Sequence, residues 1–382
     1  MKVVIAIDSF KGSMTSLEAG EAARLGVLDA APEAEVLVCP VADGGEGTTE
    51  AIVEGTDGKY VTAEVSDPLG RKITAEYGFI SGGTAVIEMA RASGITLVSD
   101  SERDVMESDT YGVGELILNA LDLGARDFII GIGGSATNDG GVGMLRALGY
   151  KFKKSNGEAI SRGARGLSEL SSVDIGGADT RLSECRFKVA SDVKNPLTGP
   201  MGATYVYGPQ KGVTEEMLPT LDAWMEKYAD LTREVIPTAD KNLPGGGAAG
   251  GLGFALVSYL GAELVSGAEL ITDLIGLSEK TVGADLVITG EGRLDAQSAM
   301  GKLPLGVARI AKAQGATVVA LAGAVAEGAS VLREFGIDAA FSILNSPMSL
   351  SEAMSGDNAK RNMRACAREV TSLLMAVKTI SK

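Results

Sequence analysis

The sequence predicts an α/β protein of two domains with mainly parallel sheets. Its length of 382 residues exceeds the ~100 to 200 residues of an ordinary domain, so we expect two hydrophobic cores. Hydrophobic residues make up 45% of the chain but aromatic residues only 4%, which is typical of aliphatic parallel sheets covered by helices. Short β-rich runs also alternate with helical patterns that are long enough to connect parallel strands.

The predicted strands are short apolar runs that end in glycine, aspartate or serine. They cover residues 3–7, 36–41, 128–132, 187–190, 286–289 and 318–322. Helical patterns cover residues 16–30, 111–123, 217–236 and 302–314. Residues 61–79 instead predict polar antiparallel strands with a turn at residues 67–71, at a crossing into the second domain. Ligands of open parallel sheets bind beyond the carboxyl ends of the strands, so the loops that follow strands are the candidate functional segments.

Composition excludes several kinds of partner and chemistry. Asp and Glu total 50 against 35 for Lys and Arg, a net charge of -15 that disfavours nucleic acid and anionic membranes. The separated cysteines Cys39, Cys185 and Cys366, without a signal peptide pattern or an apolar run of ~20 residues, predict a cytoplasmic protein. The chain has no histidine, so acid–base chemistry falls to Asp, Glu or Lys.

Two loops near the amino terminus place charged residues beside glycine. Asp8, Ser9 and Lys11 follow the first strand and precede a helix, whose N-terminus together with a lysine attracts phosphate or carboxylate. A capped helix with a solvated lysine explains this loop equally well. Asp43 follows the next strand in a loop with three glycines, where the backbone can approach a ligand closely. A flexible loop with solvated acids is the alternative there.

Two glycine-rich segments are candidates for nucleotide binding. Residues 131–141 can wrap polar ligand oxygens, and their spacing also matches the G-x-G-x-x-A variant of the dinucleotide fingerprint. The acidic residue expected about 20 positions later is missing, which makes nicotinamide binding the alternative. Residues 244–253 are explained equally well by close backbone packing. The candidate nucleotide-binding residues are Gly133, Gly134, Ser135, Thr137, Asn138, Asp139, Gly246 and Gly247.

Polar residues also follow two later strands. Asp192 with Asn195 can hold a magnesium ion or orient a hydroxyl, although an Asx turn before proline is an equal alternative. Residues 290–302 bring together two acids and two bases, which can clamp a carboxylate, neutralise a phosphoryl group and accept a proton. A solvated surface is the alternative for this second loop.

Taken in order, these loops resemble the type I glycerate kinase family from residue 8 to about residue 342. The matching segments are DSFKG, VADGGEGT, GIGGSATNDGG, SDVKNPL, GPQKG, PGGGAAGGLG and ITGEGRLDAQS with GKLP. The chain contains neither a P-loop nor the protein-kinase signatures. The resemblance implies phosphorylation of D-glycerate by ATP as co-substrate, at the 2-hydroxyl, giving 2-phosphoglycerate and ADP.

The resemblance also implies a domain arrangement. Residues 1–60 and 282–382 would form a discontinuous Rossmann-like α/β domain, into which residues 61–281 are inserted as a flavodoxin-like domain. The active site would lie in the cleft between the two domains.

Residue type and loop position assign hypothetical roles in phosphoryl transfer, which needs alignment and charge neutralisation. Candidates for binding glycerate are Asp8, Ser9, Asn195, Arg293 and Ser298. Candidates for catalysis are Lys11 and Lys302 at the phosphates and Asp192 or Asp295 as proton acceptor. Candidates for Mg²⁺ are Asp43 and Glu291.

Two other functions remain open from the residues alone. One is an NAD(P)-dependent oxidoreductase of a small hydroxy acid, and the other is a noncatalytic protein that binds a small ligand in a hinged cleft. All three functions predict small-molecule partners and leave the oligomeric state undetermined.

Overall fold

The computed structural model describes residues 1–295 and 303–380. The candidates Ser298 and Lys302 lie outside the described residues. The chain divides into two compact units. Unit 1 comprises Met1–Asp43, Glu50–Thr56 and Ala268–Lys382, and unit 2 comprises Gly44–Thr49 and Asp57–Gly267.

Strands and helices alternate along most of the described chain. The strands are β1 Lys2–Ile7, β2 Glu35–Val38, β3 Lys59–Ser66, β4 Lys72–Ile80, β5 Thr84–Glu88, β6 Asp127–Gly131, β7 Lys151–Lys153, β8 Ser172–Asp174, β9 Arg186–Ala190, β10 Glu263–Val265, β11 Leu286–Leu294, β12 Thr317–Val325 and β13 Ala339–Ser342. The α-helices are α1 Ser16–Ala30, α2 Thr48–Gly55, α3 Ala90–Ser93, α4 Tyr111–Asp122, α5 Val142–Ala147, α6 Gly163–Glu169, α7 Ala203–Tyr207, α8 Leu218–Val235, α9 Ala248–Leu260, α10 Gly267–Leu274, α11 Leu277–Thr281, α12 Leu303–Ala313, α13 Leu350–Met354 and α14 Gly356–Ile380. Short 3₁₀ helices cover Ile95–Leu97, Asp100–Glu102, Thr180–Glu184, Pro209–Lys211 and Ala329–Phe335.

Unit 1 is built on a five-stranded sheet in the order β13-β12-β11-β1-β2. Every strand pair in it is parallel. Strand β1, which lies between β11 and the edge strand β2, is almost wholly aliphatic and buried from Val3 to Ile7, as expected where helices cover both faces of a sheet. Helix α14 packs along α1, and the Arg364 guanidinium forms an ion pair with Asp29 at 2.7 Å.

Unit 2 contains a six-stranded sheet in the order β10-β9-β6-β5-β4-β3. Strands β5, β6, β9 and β10 are parallel, whereas β3, β4 and β5 pair antiparallel. The turn between β3 and β4 forms because Asp67 Oδ1 accepts hydrogen bonds from the Leu69 and Arg71 backbone N–H groups. The predicted antiparallel strands around residues 67–71 are therefore confirmed, as is the predicted α/β class with mainly parallel sheets.

Both units place loops at the carboxyl ends of parallel strands. In unit 1, residues 8–15 follow β1, and residues 39–43 follow β2. In unit 2, residues 132–141 follow β6, and residues 191–202 follow β9. None of the described helices is both long and apolar enough to cross a lipid bilayer.

Candidate active site

Asp8 is a buried carboxyl group at the carboxyl end of strand β1 in unit 1. Its backbone N–H donates to the carbonyl of Gly290 on β11 at 2.9 Å, and its Oδ1 accepts from the Ser9 N–H at 2.7 Å. Only 7% of the residue is exposed. Burial, reinforced by the negative charges of Asp43 and Glu291, raises the pKa of Asp8 to about 7, against the opposing effects of the Ser9 N–H and the Lys11 charge.

The loop after Asp8 is a tight turn that leaves Lys11 exposed. Phe10 and Met14 exchange backbone hydrogen bonds of 2.8 and 3.0 Å, and Gly12 occupies the left-handed region at φ 74°. Helix α1 then begins with a capping box between Thr15 and Glu18. Lys11 forms no ion pair within the described residues, so its ammonium is available to an anionic ligand.

The first five residues of the predicted loop, 290–294, are an extension of strand β11. Its neighbour β1 ends at Ile7, whereas β11 continues to Leu294 beside β12. Side chains alternate along a strand, so Glu291 and Arg293 lie on the same face. The Arg293 side chain is 70% exposed, and its Nε lies 3.5 Å from Asp295 Oδ2. Because an exposed pair of this length contributes little stability, a substrate carboxylate can replace Asp295 as the partner of Arg293.

These contacts bring together part of the predicted site. Asp8, Lys11, Asp43 and Glu291 interact electrostatically at the carboxyl edge of the unit 1 sheet. Carboxylate oxygens are the ligands that Mg²⁺ prefers, and kinase sites commonly combine one or two of them with substrate phosphates. Within residues 1–295 and 303–380, no three acidic, histidine or cysteine side chains form a metal cage of their own. Asp43 and Glu291 therefore fit the kind of site that is completed by the substrate.

In unit 2, the loop of residues 44–49 lies against the ends of β6 and β9. A Cβ on Gly44, which has φ 93°, would lie 2.7 Å from the Ala190 carbonyl oxygen. A Cβ on Gly133 would lie 2.8 Å from the Gly45 Cα. The absence of side chains is what allows these backbone segments to touch.

A buried acid that the sequence analysis did not single out anchors the same loop. Glu88, at the end of β5, is 3% exposed, and its Oε1 accepts from the Thr49 N–H at 2.7 Å. Burial raises the pKa of Glu88. Glu88 ends a strand that pairs in parallel with β6, which is where functional residues are expected. Because β5 was not predicted, Glu88 was not identified from the sequence.

The glycine-rich loop after β6 exposes its backbone and buries its polar side chains. Gly133 is partly exposed and Gly134 exposed, whereas Ser135, Thr137 and Asn138 are buried. The backbone N–H groups of Gly133 and Gly134 donate to no acceptor in the part of the chain that the structure describes. The accessible part of the predicted nucleotide loop is therefore the backbone of Gly133 and Gly134, and backbone N–H groups without a protein acceptor suit an anion.

Asp139 of this loop is an internal anchor. Its Oδ2 accepts from the Thr110 N–H and hydroxyl at 2.9 and 2.8 Å and from the Gly143 N–H at 3.0 Å. Its Oδ1 accepts from the Gly141 N–H at 3.1 Å. With 1% exposure and four protein donors, this carboxylate fixes the loop to the start of α4 and α5.

Lys211 is the residue of this site that the sequence analysis missed. It is 2% exposed, and its Nζ donates to Ser135 Oγ and to the Thr137 carbonyl oxygen, both at 2.7 Å. The segment GPQKG gave no sign of this burial, because a lysine between a turn and a glycine is normally solvated.

The segment of residues 244–253 packs against the loop after β6. Ala249, Gly250 and Gly251 are all left-handed, with φ of 52°, 65° and 94°. A Cβ on Gly250 would lie 2.0 Å from the Thr137 carbonyl oxygen, and the Gly140 N–H donates to the Gly250 carbonyl oxygen at 2.9 Å. Gly250 serves close backbone packing, and the role of Gly246 and Gly247 in nucleotide binding stays a prediction.

Asn195 joins the same segment to the loop after β9. Its carbonyl oxygen accepts from the Gly245 and Gly247 N–H groups at 3.2 and 2.9 Å, and its Oδ1 accepts from the Tyr207 hydroxyl at 2.8 Å. Gly246 is buried beside them. Asp192 is exposed, and its Oδ1 accepts from the Gly267 N–H at 3.2 Å.

The fold and these loops define an α/β protein of two units, each with charged or glycine-rich loops at the carboxyl ends of parallel strands. That is the class of protein that binds small phosphorylated or carboxylated ligands at such loops.

Comparison with known proteins gives the family. The model of the glycerate kinase family matches residues 3–375. An Escherichia coli K12 protein named glycerate 2-kinase is 47% identical over 371 residues, covering 96% of this chain and 97% of that protein. A Bacillus subtilis 168 glycerate kinase is 44% identical and covers 100% of this chain and 99% of its own. The chain belongs to the glycerate kinase family, and the predicted resemblance is confirmed.

A solved structure supports the same relationship. The crystal structure of a Salmonella typhimurium LT2 protein assigned as glycerate kinase 2 has a TM-score of 0.88 to this chain at 46% identity. The similarity covers 99% of both chains.

Proposed function

We propose that this protein transfers the γ-phosphate of ATP to the 2-hydroxyl of D-glycerate, giving 2-phosphoglycerate and ADP. The observation that carries the proposal is the 47% identity, over 96% of the chain, to a protein named glycerate 2-kinase. The charged edge of the unit 1 sheet and the open amides of unit 2 offer the groups that such a reaction needs.

Cations at the edge of the unit 1 sheet would bind the anionic substrates. The chain has a net charge of -15, so exposed cations beside ligand loops are more significant than the overall charge. Arg293 can hold the glycerate carboxylate with two parallel hydrogen bonds. Lys11, a compact charge beside a helix N-terminus, would contact a transferring phosphoryl group.

Asp8 is proposed to bind the reacting hydroxyl and to accept its proton. In the transfer, an oxygen–phosphorus bond forms between the glycerate hydroxyl and the γ-phosphorus, the bond from that phosphorus to ADP breaks, and the hydroxyl proton passes to a carboxylate. An acid with a pKa near the working pH is suited to this task, and burial raises the pKa of Asp8 to about 7. Asp192 and Asp295, the candidates from the sequence, are the alternative proton acceptors.

The nucleotide phosphates are proposed to bind the Gly133 and Gly134 amides of unit 2. Mg²⁺ held by Asp43 and Glu291 would supply further neutralisation of phosphate charge. In both cases the chain supplies groups suited to binding phosphate oxygens and divalent cations.

Product identification tests the proposed reaction. Purified protein is mixed with Mg-ATP and D-glycerate, ADP release is followed, and the product is identified by phosphorus NMR. We expect a 2-phosphoglycerate signal and no product with L-glycerate. A 3-phosphoglycerate signal would overturn the 2-hydroxyl assignment, and the absence of glycerate-dependent turnover would overturn the proposal as a whole.

Replacing Arg293 with alanine tests the carboxylate clamp. Losing a bidentate charged hydrogen bond costs about 1.5–3 kcal/mol, so the KM for glycerate should rise about 10- to 100-fold while the KM for ATP changes little. Arg368→Ala, which removes an exposed arginine of α14 in the same unit, is the matched control. Equal changes in both KM values, or no change in either, would contradict the assignment.

A further inference from the structure

Lys211 is a buried lysine whose hydrogen-bond acceptors, among the residues that the structure describes, are all uncharged. Its two protein acceptors are the neutral Ser135 hydroxyl and the Thr137 carbonyl oxygen. It forms no ion pair with any residue that the structure describes. The acidic charge that acts on its pKa is Asp139, whose carboxylate already accepts hydrogen bonds from Thr110, Gly141 and Gly143. An unpaired ammonium in this position is costly to bury.

Lys211 is bound to the same loop that carries the Gly133 and Gly134 amides. Ser135, which receives one Lys211 hydrogen bond, follows Gly134 in the chain, and Thr137, which receives the other, lies two residues further on. Lys211 therefore fixes the part of the loop that carries the free N–H groups of Gly133 and Gly134. A neutral hydrogen-bond donor could hold the loop in the same conformation. Only a cation would also attract an anion bound at those amides.

We propose that Lys211 is a positioning residue for a phosphate subsite, in which the Gly133 and Gly134 amides contact a phosphate of the nucleoside triphosphate and Lys211 holds the loop and supplies positive charge from behind it. This inference rests on the proposed function and deepens it, because it specifies how unit 2 recognises the nucleotide.

The proposal has a protonation signature. Burial lowers the pKa of Lys211 to about 7, while the Asp139 charge opposes this effect. A bound anion favours the charged ammonium, so triphosphate binding near and above pH 7 should be coupled to uptake of a proton. Affinity should correspondingly fall as the pH rises above about 7.

Lys211→Met is the variant that tests this role, because methionine fills similar space and leaves no charge to bury. We expect the dissociation constant for ATP to rise about 10- to 100-fold with little change in the KM for glycerate. Calorimetry in buffers of different ionisation enthalpy should show less proton uptake than in the wild type. The protons that the nucleotide itself takes up or releases are the same with both proteins. The difference in proton uptake between wild type and variant therefore reports the ionisation of Lys211.

Lys72→Met, which removes an exposed lysine of the same unit, controls for the change in net charge and should bind ATP like the wild type. Unchanged ATP affinity and unchanged proton uptake in Lys211→Met would overturn the inference. If the wild type fails to phosphorylate glycerate, the proposed function fails, but inorganic triphosphate binding to the two proteins still decides the subsite.

A measurement on the wild type covers the case in which Lys211→Met does not fold. In protein labelled with ¹³C-lysine, one Cε resonance should titrate near pH 7, and inorganic triphosphate should move that titration to higher pH. A buried lysine with a purely structural role would give no such displacement, and that result would overturn the proposal.

Discussion

Replacing Asp8 with asparagine should stabilise the protein at pH 8 while reducing glycerate-dependent turnover by about 10²- to 10⁴-fold. The loss of turnover is the usual contribution of a positioned proton acceptor. The gain in stability follows from burial, because the native state resists ionisation of Asp8 and its pKa rises from 3.8 to about 7. At 1.36 kcal/mol per pKa unit, this rise in pKa corresponds to a loss of up to about 4 kcal/mol in the free energy of unfolding.

The size of this destabilising effect changes with pH in a defined window. At pH below 3.8 the carboxyl is protonated in both the folded and the unfolded chain, so Asp8 costs nothing. As the pH rises from 3.8 to about 7 the unfolded chain ionises first, stability is progressively lost, and the full cost is present above pH 7. Asp8→Asn should therefore have the higher thermal midpoint at pH 8, and the gain should shrink as the pH falls towards 4.

Asp29→Asn is the matched control for this prediction. Asp29 is an acid of the same unit whose pKa is held below its usual range by the Arg364 guanidinium, so its replacement should give no gain in stability at pH 8 and no loss of turnover. An Asp8→Asn protein that keeps full activity, or that melts earlier than the wild type at pH 8, would contradict the role given to Asp8. The same mutation in Asp192 or Asp295 then identifies the alternative proton acceptor.

Replacing Gly250 with alanine should destabilise unit 2 by about 3–5 kcal/mol. Gly250 has φ 65°, and a Cβ there would lie 2.0 Å from the Thr137 carbonyl oxygen. The variant combines the cost of a left-handed alanine with an overlap that only backbone movement relieves. Since the displaced loop carries Gly133 and Gly134, ATP affinity should fall as well.

Gly261→Ala separates the two costs. Gly261 has φ 63°, but a Cβ there would meet nothing within 4 Å, so we expect a loss of only about 1–2 kcal/mol. Trp224 on α8 is the chain's single tryptophan, and its fluorescence during urea unfolding reports on unit 2. Equal losses in the two variants would show that the packing of residues 244–253 on the loop after β6 contributes little.

Local patterning was enough to predict the strands that bury both faces. The cores of β1, β11 and β12 are continuous aliphatic runs, and that of β6 is a continuous apolar run. The turn after β3 follows from the hydrogen bonds of one aspartate. Strand β5 was not predicted, because Thr84–Glu88 is too short and too polar at its ends to differ from a loop. The extension of β11 through Glu291 and Arg293 was interpreted as a loop, since glycines disfavour strands and the pairing with β12 that overrides them is not local.

Part of the candidate site could be predicted from the sequence because its residues follow predicted strands. Asp8, Lys11 and Asp43 follow strands, so their position at one sheet edge could be deduced from topology. The burial of Asp139 and Lys211 depends on side chains that are distant in sequence, and loop composition gives no sign of it. The left-handed conformation of Ala249 was equally inaccessible, because it is imposed by backbone contact with the neighbouring loop.

The pairing of β1 with β11 has a consequence for biosynthesis. Val3 aligns with Leu286, so strand β1 leaves the ribosome long before β11, one of its two partners, has been translated. Residues 57–267 of unit 2 lie between them and can form their own hydrophobic core while translation continues. During that time the edge of β1 that pairs with β11 stays open, although β2 is already available to its other edge. Pairing between strands that are so far apart in sequence slows the completion of this sheet. We therefore expect a chaperone to protect the nascent β1 segment.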